Sequence, residues 1–215
     1  MTIEGPEGSG KSSQARRLFD SLEPVVPLIL AREPGGTTIG EAIRALVLDE
    51  HQRGMTAETE MLLFAASRAQ YVAERVRPAL EAGTSVLSER FIDASIAYQG
   101  YGRGLPVDLV RRVNEVAAGG LHPDLTILID IDPGTGLRRA RNTVGKEGAA
   151  GRGDRLEQED DEFHQRVRAG FLKLATEEPA RFVVIDGSRA PDEVHAMAAA
   201  AVRRLFAARG WLPAD

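Results

Sequence analysis

The 215-residue sequence predicts an α/β fold in which a parallel sheet is flanked by helices. Three observations carry this reading. Short runs rich in Val, Ile and Leu recur without strict alternation, the pattern of strands buried on both faces. Longer amphipathic segments separate them, and strand–helix alternation builds parallel sheets. A glycine-rich stretch, GPEGSGKS at Gly5–Ser12, stands between the first apolar run and the first helical segment. No internal repeat or linker divides the chain, so one domain over residues 1–215 is expected.

Strands are predicted at Met1–Ile3, Val25–Leu30, Thr84–Leu87, Leu125–Ile131 and Phe182–Ile185. Only Met1–Glu4 precede the glycine-rich stretch, so a short first strand with reduced pairing is expected. A helix over 11–22 follows that stretch. A second, over 38–48, places Ile39, Ile43, Leu46 and Val47 on one face. A long helix over 56–81 is expected to kink or end near Pro78. Helices at 107–118, 134–142, 159–177 and 191–208 complete the set. In 159–177, Phe163, Val167, Phe171 and Leu174 recur at helical spacing. Asn142–Asp154 is rich in Gly and Ala, with little to bury. It suits either a mobile surface loop or a lid over a nucleotide, about 142–155.

Composition excludes several function classes. Apolar residues at 43% and charged residues at 27% fit a globular chain. A net charge of −5 gives no global electrostatic case for nucleic acid or an anionic membrane. There is no cysteine, which excludes disulfides and thiolate metal sites and fits a cytoplasmic setting. No apolar run reaches the ~18 residues of a membrane-spanning helix, and MTIEGPEG lacks the character of a signal peptide. Only three lysines occur, Lys11, Lys146 and Lys173, against 24 arginines.

Gly5-x4-Gly10-Lys11-Ser12 matches the phosphate-binding P-loop, in the strand–loop–helix context the motif needs. The glycines let backbone N–H groups converge on phosphate oxygens at the positive end of a helix. Gly5, Pro6, Glu7, Gly8, Ser9, Gly10, Lys11, Ser12 and Ser13 would enclose the phosphates of ATP. Lys11 would reach the β- and γ-phosphates, and the Ser12 hydroxyl would ligate Mg²⁺. The fold expected is therefore that of the P-loop NTPases. The guanine-reading pattern N-K-x-D is absent, since Asn114 and Asn142 are followed by Glu115 and Thr143. Small size favours a nucleotide or metabolite kinase.

Four further segments narrow the acceptor: REPGGT (Arg32–Thr37), MLLFAASR (Met61–Arg68), LSERFIDASIAYQGYGRG (Leu87–Gly104) and GRGDRLE (Gly151–Glu157). With EGPEGSGKS they closely resemble thymidylate kinase of the bacterial type, from the P-loop to about residue 205. The resemblance implies a five-stranded parallel sheet, a homodimer, and the reaction ATP + dTMP → ADP + dTDP with Mg²⁺. It also implies roles. Arg44 and Arg90 would hold the acceptor phosphate, Arg68 would point toward the thymine edge, and Phe64 would stack on the thymine face. Phe64 and Arg68 are i and i+4 on one helix, so both can line one pocket. Glu33 and Pro34, with Gly35 and Gly36, would shape the approach to the acceptor. Ser95, Tyr98 and Gln99 would line its base and sugar side, Tyr98 by excluding a ribose 2′-hydroxyl. Glu7, by its place in the loop, would either face the sugar 3′-hydroxyl or stand as an exposed loop carboxylate. Apart from the resemblance, Asp186–Arg189, by position after the fifth strand, would face adenine, and Arg139 would stack on it.

Two departures stand out. Glu89-Arg90 replaces the family's common Asp-Arg; Glu89 would still orient a Mg²⁺-bound water or the acceptor phosphate. Ala94 replaces a frequent serine. Glu-Arg at this place also resembles deoxynucleoside kinases, where the Glu acts as base toward a sugar hydroxyl. A non-enzymatic nucleotide-binding regulator is the third reading. Bringing two anions together requires cations between them. The P-loop carries no arginine, so a catalytic arginine is expected from the lid: Arg152 first, then Arg155 and Arg141, unless Arg155 pairs with Asp154.

Overall fold

The computed structural model describes residues 1–142 and 153–211. Five strands form one all-parallel sheet in the order β2-β3-β1-β4-β5. They are β1 (Thr2–Glu4), β2 (Leu28–Arg32), β3 (Ser85–Glu89), β4 (Thr126–Asp130) and β5 (Phe182–Asp186). Each of the five predicted strands forms. The short β1 keeps pairing on both sides, with Thr2 opposite Ser88 and Thr126. Alternation along β4 explains the apolar runs. Ile127 and Ile129 join one core layer and Leu128 the other, all fully buried.

The first layer packs α1 (Lys11–Leu22) and α9 (Pro191–Ala208) on the sheet through Leu18, Leu22, Val202 and Phe206. The second is built around Phe163, Val167, Phe171 and Leu174 of α8 (Asp161–Glu177), the residues whose spacing marked a helix. Fully burying each such side chain is worth roughly 1.5–3 kcal/mol. Several helix starts are fixed by their own side chains. Thr37 accepts from the Gly40 N–H at α2 (Thr38–Leu48), Asp132 from Thr135 at α7 (Pro133–Arg141), and Asp160 from Phe163 at α8. Such caps are worth about 1 kcal/mol each.

The predicted helix over 56–81 is continuous but not uniform. It runs as α3 (Ala57–Tyr71), a π-helical turn at Val72–Val76, and α4 (Arg77–Glu81). Pro78 falls in the opening turn of α4, directly after the wide turn, the place in a helix where a missing N–H is best tolerated. One element was not foreseen. Residues 92–102 form α5 (Ile92–Ser95) and a π-helical segment, Ile96–Gly102, that lead to α6 (Val107–Ala118). Nearly every residue of 92–102 is buried, so the segment has no polar face to reveal a helical period. The carboxyl ends of β1, β2 and β3 open toward this segment, and the site lies there.

Candidate active site

A cleft of about 800 Å³ runs across these strand ends. On one side it is lined by Gly8, Gly10, Lys11, Ser12, Ser13 and Arg139, and on the other by Pro34, Arg44, Phe64, Arg68, Ser95, Tyr98 and Gln99. Glu7, Glu89 and Arg90 also line it. The acceptor-side candidates and most of the P-loop residues thus share one cavity, while Gly5, Pro6 and Ser9 do not line it.

The P-loop is shaped by backbone that only glycine adopts easily. Gly8 has φ 66°, and a Cβ there would sit 1.8 Å from the Gly136 carbonyl oxygen at the start of α7. The loop and α7 touch backbone to backbone, which fixes the loop's height above the sheet. Lys11 Nζ donates to the Pro6 carbonyl at 2.7 Å and to Ser9 Oγ at 3.4 Å. Burial first, then the Arg90 charge, pull the Lys11 ammonium down to about 8. Ser12 Oγ donates to Glu89 Oε1 at 2.7 Å, so the two metal candidates meet.

Arg90 links the two sides. Its guanidinium donates to Glu7 Oε1 at 2.6 Å, the Gly5 carbonyl at 3.3 Å and the Tyr98 hydroxyl at 3.0 Å. Tyr98 in turn donates to Glu7 Oε1 at 2.7 Å. The carboxylate within the P-loop therefore binds the acceptor-side arginine and tyrosine rather than intruding on the phosphate cradle. The Tyr98 ring is wedged edge-on between Phe163 and Phe171.

Arg68 is 1% exposed. It pairs with Glu33 at 2.5 Å and donates to Ser95 Oγ, the Phe91 carbonyl and Asn114 Oδ1. Glu33 lines the cleft with the other acceptor-side residues, and its carboxylate is buried against Arg68: desolvation pushes it above its ordinary value, and the guanidinium offsets only part of that. Arg44 donates to the Pro34 carbonyl at 3.0 Å, which ties α2 to the turn after β2. Ser95 and Gln99 sit on the unforeseen helix; Gln99 Nε2 donates to Glu60 Oε1 at 2.8 Å.

The arginine candidates divide. Arg152 lies outside the described residues, as does most of the predicted lid. Arg141 lines the cleft. Arg155 does not serve as expected: it is buried, donating to Glu60 Oε2 at 2.6 Å and to the Val47 carbonyl at 2.9 Å. Nor does Asp154 pair with it, since Asp154 Oδ1 accepts from the Leu156 and Glu157 N–H groups. The buried carboxylate of Glu60 holds the Arg155 guanidinium inward. Sequence reasoning missed Glu60, although Glu60, Phe64 and Arg68 share one helical face. On the donor side, Arg139 lines the cleft and donates to the Gly187 carbonyl at 2.8 Å. Asp186–Arg189 do not line it.

Comparison with known proteins gives the family. The thymidylate kinase family model matches residues 3–198. The chain belongs to the thymidylate kinase family. It is 49% identical to a thymidylate kinase of Solidesulfovibrio magneticus over 195 residues, 90% of this chain and 93% of that one. It is 48% identical to one of Deinococcus radiodurans over 203 residues, covering 94% and 95%. The crystal structure of an Ehrlichia chaffeensis thymidylate kinase superimposes with a TM-score of 0.74 at 31% identity, covering 94% and 96%. The five-stranded sheet and the P-loop are those of a thymidylate kinase, and the deoxynucleoside kinase and regulator readings give way to it.

Proposed function

We propose that this thymidylate kinase transfers the γ-phosphoryl group of ATP to dTMP, giving ADP and dTDP. The observation that carries the reading is the Glu7–Arg90–Tyr98 cluster. It joins the phosphate loop to the acceptor side inside one cleft. The attacking group is already a phosphate oxygen, so positioning and charge neutralisation matter more than a strong base. Lys11 neutralises the β/γ-phosphates. Arg90 and Arg44 hold the acceptor phosphate, Phe64 packs against the thymine, and Arg68 offers a rigid edge to it. Tyr98 and Gln99 close the sugar and base side. Arg139 packs at the adenine end.

The donor set fits Mg²⁺. Among the described residues no group of three or more His, Cys, Asp or Glu side chains forms a cage. Ser12 and Glu89 supply hard oxygens at 2.7 Å from one another, and Mg²⁺ commonly takes one or two protein oxygens plus phosphates and water. Once bound it would neutralise charge between the β- and γ-phosphates. Arg141 and Arg152 are the arginines left for the transferring group.

The reading includes a homodimer and a cytoplasmic setting. α3 packs beside α2 and α6, and Ile39, Leu46, Leu62 and Val116 of these helices are exposed, which supports self-association through that face. Sedimentation of the purified chain tests it.

One coupled assay tests the reaction: ATP–Mg²⁺ with dTMP, dUMP, UMP, thymidine or CMP. ADP should form fastest with dTMP and stop when EDTA removes divalent cations. Turnover of thymidine in preference to dTMP, or ADP formation indifferent to the acceptor, would overturn it.

A further inference from the structure

Arg90 is the one non-glycine residue with positive φ among the described residues, at 66°. Left-handed backbone is uncommon for a long side chain and persists only where its surroundings hold it. Here the surroundings are explicit. The Arg90 N–H continues the ladder to the Ile3 carbonyl at 3.1 Å. Beyond that point side chains replace the sheet. The Arg90 carbonyl accepts from Ser88 Oγ at 2.7 Å, and the Phe91 carbonyl accepts from Arg68 at 3.1 Å. The Phe91 N–H donates to Glu4 Oε1 at 2.7 Å.

Glu4 ends β1 and is wholly buried. Its other oxygen, Oε2, has no hydrogen-bond partner. A carboxyl in that place is costly unless its acceptor is needed. Leucine would fill the same space at lower cost. We propose that Glu4 is a positioning residue for the acceptor phosphate: by accepting the Phe91 N–H, it holds Arg90 in the left-handed turn that aims its guanidinium into the cleft. The inference rests on the reading of Arg90 as an acceptor-phosphate ligand.

The test uses the full chain as wild type, E4L, E4Q and S88A. Initial rates are measured with dTMP varied at saturating ATP–Mg²⁺, and the reverse. E4L and S88A should raise the KM for dTMP about tenfold or more while the KM for ATP stays within about twofold. E4Q retains an acceptor oxygen and should stay within about threefold of wild type for both substrates. Equal shifts in both KM values, or an unshifted dTMP KM, overturn the proposal. So does E4Q as impaired as E4L, since charge rather than the acceptor would then be at work. If E4L does not fold, S88A and E4Q decide. A crystal structure separates this from the reaction itself. Arg90 still left-handed and still on Glu7 and Tyr98 in E4L or S88A sinks the inference whatever wild type phosphorylates. Wild type inert toward dTMP, with the turn lost in the variant, sinks only the proposed function.

Discussion

Arg155 Nη2 donates to Glu60 Oε2 at 2.6 Å, and both side chains are buried. The same carboxylate receives Arg103 and Gln99, so α3, the π-helical segment and the chain after residue 152 meet on one anion. Burial pushes Glu60 up, but the hydrogen bonds and charge of Arg103 and the charge of Arg155 bring it below its ordinary value. Breaking a buried pair leaves an uncompensated charge and typically costs 3–5 kcal/mol. Arg155→Ala should cost about 3 kcal/mol, toward the low end because Arg103 remains on Glu60. Urea unfolding measures it; a loss under about 1 kcal/mol would mean that the pair behaves as a surface one.

Gly136 and Gly8 meet backbone to backbone. A Cβ on Gly136 would lie 2.1 Å from the Glu7 carbonyl oxygen, and no side-chain rotation relieves that contact. Gly136→Ala should displace the P-loop and weaken ATP binding about tenfold or more, which is roughly 1.4 kcal/mol. Calorimetric titration with ATP reads this directly. An unchanged affinity would show that the loop shifts without functional consequence.

Glu7 accepts from both Arg90 and Tyr98. Tyr98→Phe should lower kcat/KM for dTMP by about tenfold with the ATP KM unmoved, the loss of one hydrogen bond to a charged group. It should also narrow the preference for dTMP over UMP. Glu7→Gln should act on the same substrate, and the double variant should fall short of the summed losses because the residues share one network. Unaltered dTMP kinetics in Glu7→Gln would leave Glu7 a bystander of the loop.

Burial, with Asp93 adding to it, pushes Glu4 up to about 8 from its ordinary 4.5. The folded chain then keeps a proton that the unfolded chain releases. Glu4's contribution to stability is full below about pH 4.5 and is lost as pH rises through about 8. Relative to Glu4→Gln, which does not titrate, the wild type should lose stability between about pH 5 and 8. Urea midpoints of the two proteins across that range provide the check; a constant difference would mean that Glu4 ionises normally when folded.

The strands, most helices and the phosphate loop were legible because each is written locally. Apolar runs mark strands buried on two faces, and GPEGSGKS holds its donors within eight consecutive residues. That Phe64 and Arg68 share one helical face was readable for a similar reason, since one helical turn joins them; that this face lines the cleft came from the family resemblance, because spacing alone fits ordinary core equally well. The segment 92–102 was not legible, since burial on all sides erases the contrast that a period needs. Its placement is what brings Ser95, Tyr98 and Gln99 to the cleft.

By itself the sequence determined the α/β class, the P-loop, the membership of the thymidylate kinase family and the absence of an arginine from the loop. The tertiary structure decided which distant charges meet. Glu60 could have taken any of 24 arginines, and folding chose Arg103 and Arg155, removing Arg155 from the catalytic candidates. Glu33 went to Arg68, and Glu4 to the backbone of Phe91. Those choices follow from burial: a carboxylate removed from water must find a donor, and only the packed chain fixes which one is within reach.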